Sequence, residues 1–316
     1  MSSAGRGTAD REAGAPGGGG GRGRLFVVAT PIGNLDDVTL RALEVLRSVP
    51  LVAAEDTRLT RRLLDRHGIR ARLVSFHARN ASRRLPELFA HLEAGADLAL
   101  VTDAGTPGIS DPGEELVAAW SAAGGVVVPI PGPSAVLAAV SATGIAGPRW
   151  VFEGFLARRG RERQERLARL AADERGTVLF EAPNRVAATL ADLAAACGPD
   201  RPAAVCRELT KIHEAIEHGS LGALAERAAR GDIPARGEFV IVVGARRSGW
   251  ASEQPGSGEA RGGGDSGSLE EAAETLAEAR AAVERLVAEG RPRSAAAREV
   301  ARRTGLRRRD LYRPDR

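Results

Sequence analysis

From residue 25 to residue 130 the chain alternates short, continuous apolar runs with longer stretches in which apolar positions recur every three or four residues. The runs are LFVVA (25–29), LVAAE (51–55), RLVSF (72–76), DLALV (97–101) and VVVPI (126–130). Between them lie a helical pattern from Asp36 with Val38, Ala42, Leu43, Leu46 and Val49, one with Leu59, Leu63 and Leu64, one with Leu85, Leu88, Phe89 and Leu92, and one from Glu114 to Ala123. A run that is apolar at every position suits a strand buried on both faces, and amphipathic helices between such runs suit a parallel sheet covered on both sides. Residues 25–147 are therefore expected to form an α/β domain.

The pattern resumes near Trp150. VFEGF (151–155), TVLFEA (177–182), AAVCREL (203–209) and EFVIVVGA (238–245) read as strands, separated by an Arg-rich helix over 158–172, an Ala-rich helix over 186–197 and a helix around 221–230. Residues 148–246 are expected to be a second α/β domain with fewer crossovers and some antiparallel pairing. An interdomain cleft would then be the favoured place for a small-molecule site. Residues 1–24 and 247–268 are polar and Gly/Ser-rich, which predicts a disordered tail and a flexible linker. Residues 269–316 are expected to form a basic helical module: 291–316 hold ten arginines against three acids, with Ala296, Val300, Ala301, Leu306 and Leu311 on an amphipathic pattern broken at Thr304-Gly305. Two short helices about a glycine turn, basic on one side, suit contact with an RNA backbone; a module that assists dimerisation fits equally.

Composition narrows the class. The length of 316 residues allows about two domains. No apolar run approaches the ~20 residues of a membrane span, and the N-terminus has no apolar core of the secretory kind, so no membrane association and a cytoplasmic location are expected. Cys197 and Cys206, the only two cysteines, are not spaced as a metal site and read as buried structural thiols; no metal is expected. The net charge of +4 invites nucleic acid, yet Lys211 is the one lysine among 45 basic residues, which points to coding bias as much as to phosphate contact. Aromatic residues at 3% leave little for a base-stacking platform.

In α/β sheets ligands sit outside the carboxyl ends of the strands, so the segments that follow them belong together: TPIGN (30–34), EDTR (55–58), HARN (77–80), TDAGTPGISDPG (102–113) and PGPSA (131–135). Gly and Pro there let main chain approach a ligand closely. Neither G-x-G-x-x-G nor G-x-x-x-x-G-K-[ST] occurs, which disfavours a dinucleotide or P-loop site. Asp103 is placed either to accept hydrogen bonds from a ribose or amine, or to cap a turn. PGPSA lacks the second glycine of a hydrolase elbow, so Ser134 reads as facing a ligand rather than attacking a carbonyl.

TPIGNLDDVTLRALEVL, AEDTR, SFHARN, VTDAGTPGISDPG, PGPSAVLAA, FEAPNR, CRELTKIHE and RGEFVIVVG, in that order, resemble the motifs of the ribosomal RNA small-subunit methyltransferase I family, part of the tetrapyrrole methylase superfamily. The likeness covers about residues 25–245 and continues in the C-terminal EGRPRSAAAREVARRTGLRRRDLYR. It implies two α/β domains of the tetrapyrrole methylase type, S-adenosylmethionine held in their cleft, a cytidine 2′-hydroxyl of 16S rRNA in the decoding region of the 30S subunit as acceptor, and a homodimer. Where the wider superfamily has a G-x-G-P-G-D-like first loop this chain has ATPIGN, as in the RNA-methylating branch. Carried over by motif, the cofactor positions are Ile32, Thr102, Asp103, Thr106, Ser134, Ala135, Ala182, Leu209 and Glu238. A tetrapyrrole methyltransferase and a non-catalytic RNA-binding protein are the alternatives.

Methyl transfer to a ribose hydroxyl needs in-line positioning and benefits from a base or cation beside the developing alkoxide. At the strand ends the candidates are Glu55, Arg58, His77 and Asn80, with Asp56 beside them. Each has a structural reading too: Asp56 or Thr57 as a helix cap, His77 as a loop histidine with a satisfied hydrogen bond, Arg58 and Arg185 as surface ion pairs rather than phosphate or ribose contacts, and Glu208 paired with Lys211. On this reading Asp103→Ala weakens cofactor binding, and His77→Ala spares binding but slows transfer.

Overall fold

The computed structural model of the chain describes residues 21–246, 267–288, 290–304 and 311. Five strands form the first sheet: β1 (Arg24–Val28), β2 (Leu51–Ala54), β3 (Leu73–Ser75), β4 (Leu98–Val101) and β5 (Val126–Ile130). They pair in the order β3-β2-β4-β1-β5, all parallel. α1 (Leu40–Ser48) and α2 (Thr57–Arg66) cover one face, where Ala42, Leu43, Leu46 and Leu64 pack on Phe26, Val28, Val52 and Val101. On the other, α3 (Ala81–Glu93) and α4 (Glu114–Ala122) bring Leu88, Leu92, Leu116 and Trp120 against Leu25, Ala53, Leu98 and Leu100. Alternate residues of one strand thus feed different helical layers, which is why the runs are apolar throughout.

The strand order has a mechanical consequence. Chain leaving β2 runs toward the β3 edge and chain leaving its neighbour β4 runs toward the β5 edge. The two connections part on opposite faces and leave a crevice at the carboxyl ends, the topological switch point at which such sheets bind ligands.

The second sheet is mixed. β6 (Trp150–Phe155), β7 (Gly176–Glu181), β8 (Pro202–Arg207), β9 (Ala215–Ser220) and β10 (Phe239–Val243) lie in the order β6-β7-β10-β8-β9, with only β6 and β7 parallel. α6 (Arg161–Ala172), α7 (Val186–Cys197) and α8 (Leu221–Arg230) cover one face through Leu170, Leu190, Leu193, Leu221 and Leu224. α5 (Ala135–Thr143) covers the other: Val136 and Ala139 pack with Val178, Val240 and Val242. α5, which falls within the span 25–147 expected for the first domain, therefore packs on the second sheet and welds the two together.

Other details differ from the sequence pattern. Arg24, counted with the N-terminal tail, opens β1, because its main-chain amide and guanidinium both bond the Asp97 carboxylate at 2.7 and 2.8 Å. The first helix begins at Leu40 rather than Asp36. Asn34 accepts from the Asp36 amide and holds residues 35–37 in a single 3-10 turn, after which Thr39 caps α1 by accepting from Ala42 at 3.1 Å. Buried Cys206 has its thiol pushed up to about 12 by desolvation, the behaviour of an inert core residue.

The C-terminal part is a unit of its own. α9 (Gly267–Ala288), which starts two residues inside the segment read as linker, and α10 (Arg293–Thr304) pack through Ala279, Val283, Ala296, Ala297 and Val300, with Leu311 buried among them. Gly290, at φ +87°, makes the turn between them. The expected break at Thr304-Gly305 and Leu306 beyond it fall outside the described residues, as do residues 1–20 and 247–266.

Candidate active site

Three glycine- and proline-rich segments are tied to one another at the carboxyl ends of β1, β4 and β5. Thr30 and Gly105 exchange two main-chain hydrogen bonds, at 2.8 and 3.0 Å, and form a short antiparallel bridge between the first loop and the long loop. The Thr30 hydroxyl also donates to the Thr102 carbonyl at 3.0 Å. Thr106 donates to the Pro133 carbonyl at 3.2 Å and joins the long loop to PGPSA. Ser134 caps α5, its hydroxyl accepting from the Leu137 amide.

Across from these loops the second lobe contributes the ends of β7, β8 and β10. The space between is a cavity of about 400 Å³, within the range of small-molecule and cofactor sites. Ile32, Ile109, Phe155, Phe180, Leu209 and Val240 give it apolar walls, and its charged lining is acidic: Asp111, Glu181 and Glu238. Glu181 is almost wholly buried and fully engaged. It accepts from the Ala182 amide at 2.8 Å and the Thr189 hydroxyl at 2.6 Å, and it pairs with Arg185 at 3.2 Å. Glu208 accepts from Lys211 and from the Glu238 amide, each at 2.9 Å, and Lys211 also reaches the Glu238 carboxylate at 2.9 Å, so the only lysine braces the cavity rim.

The rim is tightly held. Gly33 lies where a side chain would meet Leu209 main chain at 3.0 Å and Lys211 Cγ at 2.5 Å, and the Asn34 amide donates to the Thr210 hydroxyl at 3.1 Å, so the loops of the two lobes touch there. Among the described residues the non-glycine positions with positive φ are Ser110, Glu208 and Thr210. Ser110 lines the cavity and the other two flank Leu209, which also lines it. Left-handed main chain at ordinary residues costs energy and persists where the surroundings fix it, and here it gathers at one place.

Beside the cavity, at the β2/β4 switch point, carboxylates converge. The Asp56 amide donates to Asp103 Oδ1 at 2.8 Å and the Asp103 amide to Glu55 Oε2 at 3.3 Å, a reciprocal tie between the two strand ends. Burial raises the Glu55 carboxyl, helped by the Asp103 and Asp56 charges, and His77 lies near enough to oppose this. Burial likewise raises Asp103, with Asp56 adding to it. Asp111 is raised most, to about 6, first by burial and then by the charges of Glu55 and Asp103. The buried Thr102 hydroxyl lacks a hydrogen-bond partner of full geometry, yet lies near enough to Asp111 to oppose that rise weakly. Asp56 is held down at about 2 by Arg58, whose guanidinium it bonds at 2.6 Å.

Comparison with known proteins decides the family. Residues 24–225 match the model of the Tetrapyrrole (Corrin/Porphyrin) Methylases. The protein named Ribosomal RNA small subunit methyltransferase I of Synechocystis is 44% identical over 92% of this chain and 96% of its own length, and the protein of that name from Mesorhizobium japonicum is 49% identical over 70% and 74%. The chain belongs to the ribosomal RNA small subunit methyltransferase I family, within the tetrapyrrole methylases. It is a methyltransferase. Among solved structures, that of uroporphyrin-III C-methyl transferase from Thermus thermophilus, complexed with S-adenyl homocysteine, has the same fold, with a TM-score of 0.51, 19% identity, and coverage of 70% of this chain and 97% of that one.

Within this methyltransferase fold, seven of the nine positions carried over by motif line the cavity: Ile32, Thr106, Ser134, Ala135, Ala182, Leu209 and Glu238. Thr102 and Asp103 do not. Thr102 is buried behind the loop, and Asp103 turns to the switch-point crevice, where its carboxylate holds the Asp56 amide. Of the four catalytic candidates, Glu55 and His77 gather at that crevice. Asn80 is committed elsewhere: its carbonyl accepts from the His77 amide at 2.9 Å and its amide group donates to the Ser75 carbonyl and hydroxyl, so it shapes the loop that carries His77. Arg58 is solvent-exposed and paired with Asp56, which also caps α2, so the ion-pair and capping readings describe the geometry. The pairing of Glu208 with Lys211 is present too.

Sequence reasoning passed over Asp111, although it stands in the long loop. A carboxylate between Ser110 and Pro112 in a glycine-rich segment was the available signal. Phe155 and Phe180, which wall the cavity with their rings tilted against each other at 5.6 Å, carry no signal beyond being strand residues. Among the described residues no group of three or more His, Cys, Asp or Glu could hold a metal ion, and no helix is long and apolar enough to cross a membrane.

Proposed function

We propose that this protein transfers a methyl group from S-adenosylmethionine to the 2′-hydroxyl of a cytidine ribose in the decoding region of 16S rRNA, acting in the cytoplasm as a homodimer on the 30S subunit. The observation that carries the reading is the cavity itself, closed by motif loops from both lobes in a chain 44% identical to a full-length relative of that name.

The residues present fit the cofactor. Apolar walls from Ile32, Phe180, Leu209 and Val240 suit a purine and a thioether chain, and Glu238 suits a positively charged group. That a same-fold neighbour is complexed with S-adenyl homocysteine accords with this. When bound, S-adenosylmethionine supplies an electrophilic methyl group on a sulfonium.

The chain supplies position and electrostatics. Ile32, Thr106, Ser134, Ala135, Ala182, Leu209 and Glu238 would orient the donor, with the tied loops fixing main-chain groups in advance so that no reorganisation is needed at the moment of transfer. Glu55 and His77, in the crevice next to the cavity, would border the path by which the ribose arrives, with Arg58 at its outer edge as a cation for the backbone. Asp103 and Asn80 position these groups. Incubation with 30S subunits lacking the modification and labelled S-adenosylmethionine, followed by mapping of 2′-O-methylation, tests the reading. A single modified cytidine in the decoding region is the expected result, and label on no ribose rejects it.

A further inference from the structure

Three features place Asp111 apart from the other carboxylates of the molecule. It lines the cavity proposed for the methyl donor, whereas Glu55, Asp56 and Asp103 do not. It stands close enough to Glu55 and Asp103 to feel both charges, which puts it on the side of the cavity that faces the switch-point crevice. Its main chain is held by a strained neighbour, Ser110 at φ 66°, in a loop pinned by the Thr30–Gly105 bridge.

We propose that Asp111 is the catalytic base that takes the proton of the acceptor hydroxyl. The inference rests on the function proposed above and assigns the proton transfer that the reaction requires. An acceptor approaching from the crevice side would come alongside Asp111 before it met a donor seated in the cavity. The hydroxyl O–H bond breaks and its proton goes to an Asp111 carboxylate oxygen while the ribose oxygen forms its bond to the methyl carbon. The pair of the C–S bond stays on sulfur, and Asp111 then releases the proton to solvent.

The chemistry suits the task. A base works best with a pKa near the working pH, and Asp111, raised to about 6, is still ionised at neutral pH yet far more basic than an ordinary aspartate. Burial sets this first, and the charges of Glu55 at the end of β2 and Asp103 at the end of β4 add to it, with Asp56, Arg58 and His77 bordering them and Glu181 and Glu238 facing from the second lobe. Such a site is costly to the fold. A carboxyl whose folded pKa lies above its unfolded value destabilises once ionised, so stability present at low pH is lost as pH rises through about 6.

The test uses the full chain, with Asp111→Asn, Asp111→Glu and His77→Ala beside wild type. Affinity for S-adenosyl homocysteine is measured by calorimetry, single-turnover methylation of unmodified 30S subunits is followed across pH, and thermal unfolding is recorded at pH 7.5 and pH 4. For wild type the rate should rise with pH and level off above about 6. Asp111→Asn should bind the nucleoside within about threefold of wild type, transfer at least about a hundredfold more slowly, lose the rising limb, and unfold at a higher temperature than wild type at pH 7.5 but not at pH 4. Asp111→Glu should keep the limb at a reduced rate, and His77→Ala should keep it in place. A rate for Asp111→Asn within threefold of wild type, an unchanged limb in that variant, or a tenfold loss of nucleoside affinity with the limb retained would overturn the proposal, the last making Asp111 an anchor for the donor. Wild type that binds the nucleoside but methylates no ribose overturns the substrate reading, and this proposal with it.

Discussion

The main-chain amide of Asp56 donates to the carboxylate of Asp103 across 2.8 Å, joining the ends of two neighbouring strands whose chains leave in opposite directions. This bond keeps the switch-point crevice at fixed width, and it gives Asp103 a job other than holding a ligand. Asp103→Ala is expected to lower stability by about 1 kcal/mol in urea unfolding, because the Asp56 amide loses its acceptor. Affinity for S-adenosyl homocysteine should stay within about threefold. A tenfold loss would restore the role that sequence alone suggested.

His77 lies beside Glu55 and outside the cavity lining. His77→Ala should leave nucleoside affinity unchanged and slow single-turnover transfer by about tenfold, less than the roughly hundredfold or more that a group transferring the proton itself contributes. Equal rates for the variant and wild type would remove His77 from the acceptor path.

The Glu55 carboxyl is half-buried and raised by desolvation and by its acidic neighbours. Its folded pKa exceeds the unfolded one, so its ionised form costs stability: the loss sets in as pH rises past the unfolded value, is complete once the folded value is passed, and persists above it. Glu55→Gln should therefore be more stable than wild type at pH 7.5, with the difference vanishing near pH 4, where both states are protonated. Melting temperatures at the two pH values read this out, and a difference of the same size at both would contradict it.

Arg201 is 7% exposed and held by four carbonyls: its guanidinium donates to Gly244 and Arg175 at 2.9 Å and to Leu170 and Asp173 at 3.3 Å. It thus closes the C-terminal end of α6 onto the end of β10, where a cation also meets the helix dipole. Arg201→Met leaves four carbonyls without that donor and should cost about 3 kcal/mol in chemical unfolding, with nucleoside affinity preserved in the folded fraction.

Much of this was legible in the residues. The five apolar runs of the first sheet declare themselves because each strand is buried on both faces, and the motif loops follow from them. β9 did not, since AIEHGS is an edge strand that owes its conformation to pairing with β8 rather than to an apolar pattern. The start of α1 was misplaced by four residues because the Asn34 side chain captures the Asp36 amide, a local contact that competes with the helix. For the site, strand-end position told which edge of the sheet matters but not which way a side chain turns. Asp103 and Asp111 stand in the same loop, one turned to the crevice and one to the cavity, and only their surroundings in space separate them.

The weld made by α5 has one more implication. A chain severed between Gly144 and Arg149 would divide into a piece holding the first sheet with α5 and a piece holding the second sheet. Each would keep its own hydrogen-bonded ladder, yet Val136 and Ala139 on one piece and Val178, Val240 and Val242 on the other would face water until they met. Because neither fragment carries a complete ligand chamber, capture of a nucleoside would report their reunion, and the enzyme becomes a natural scaffold for a split sensor.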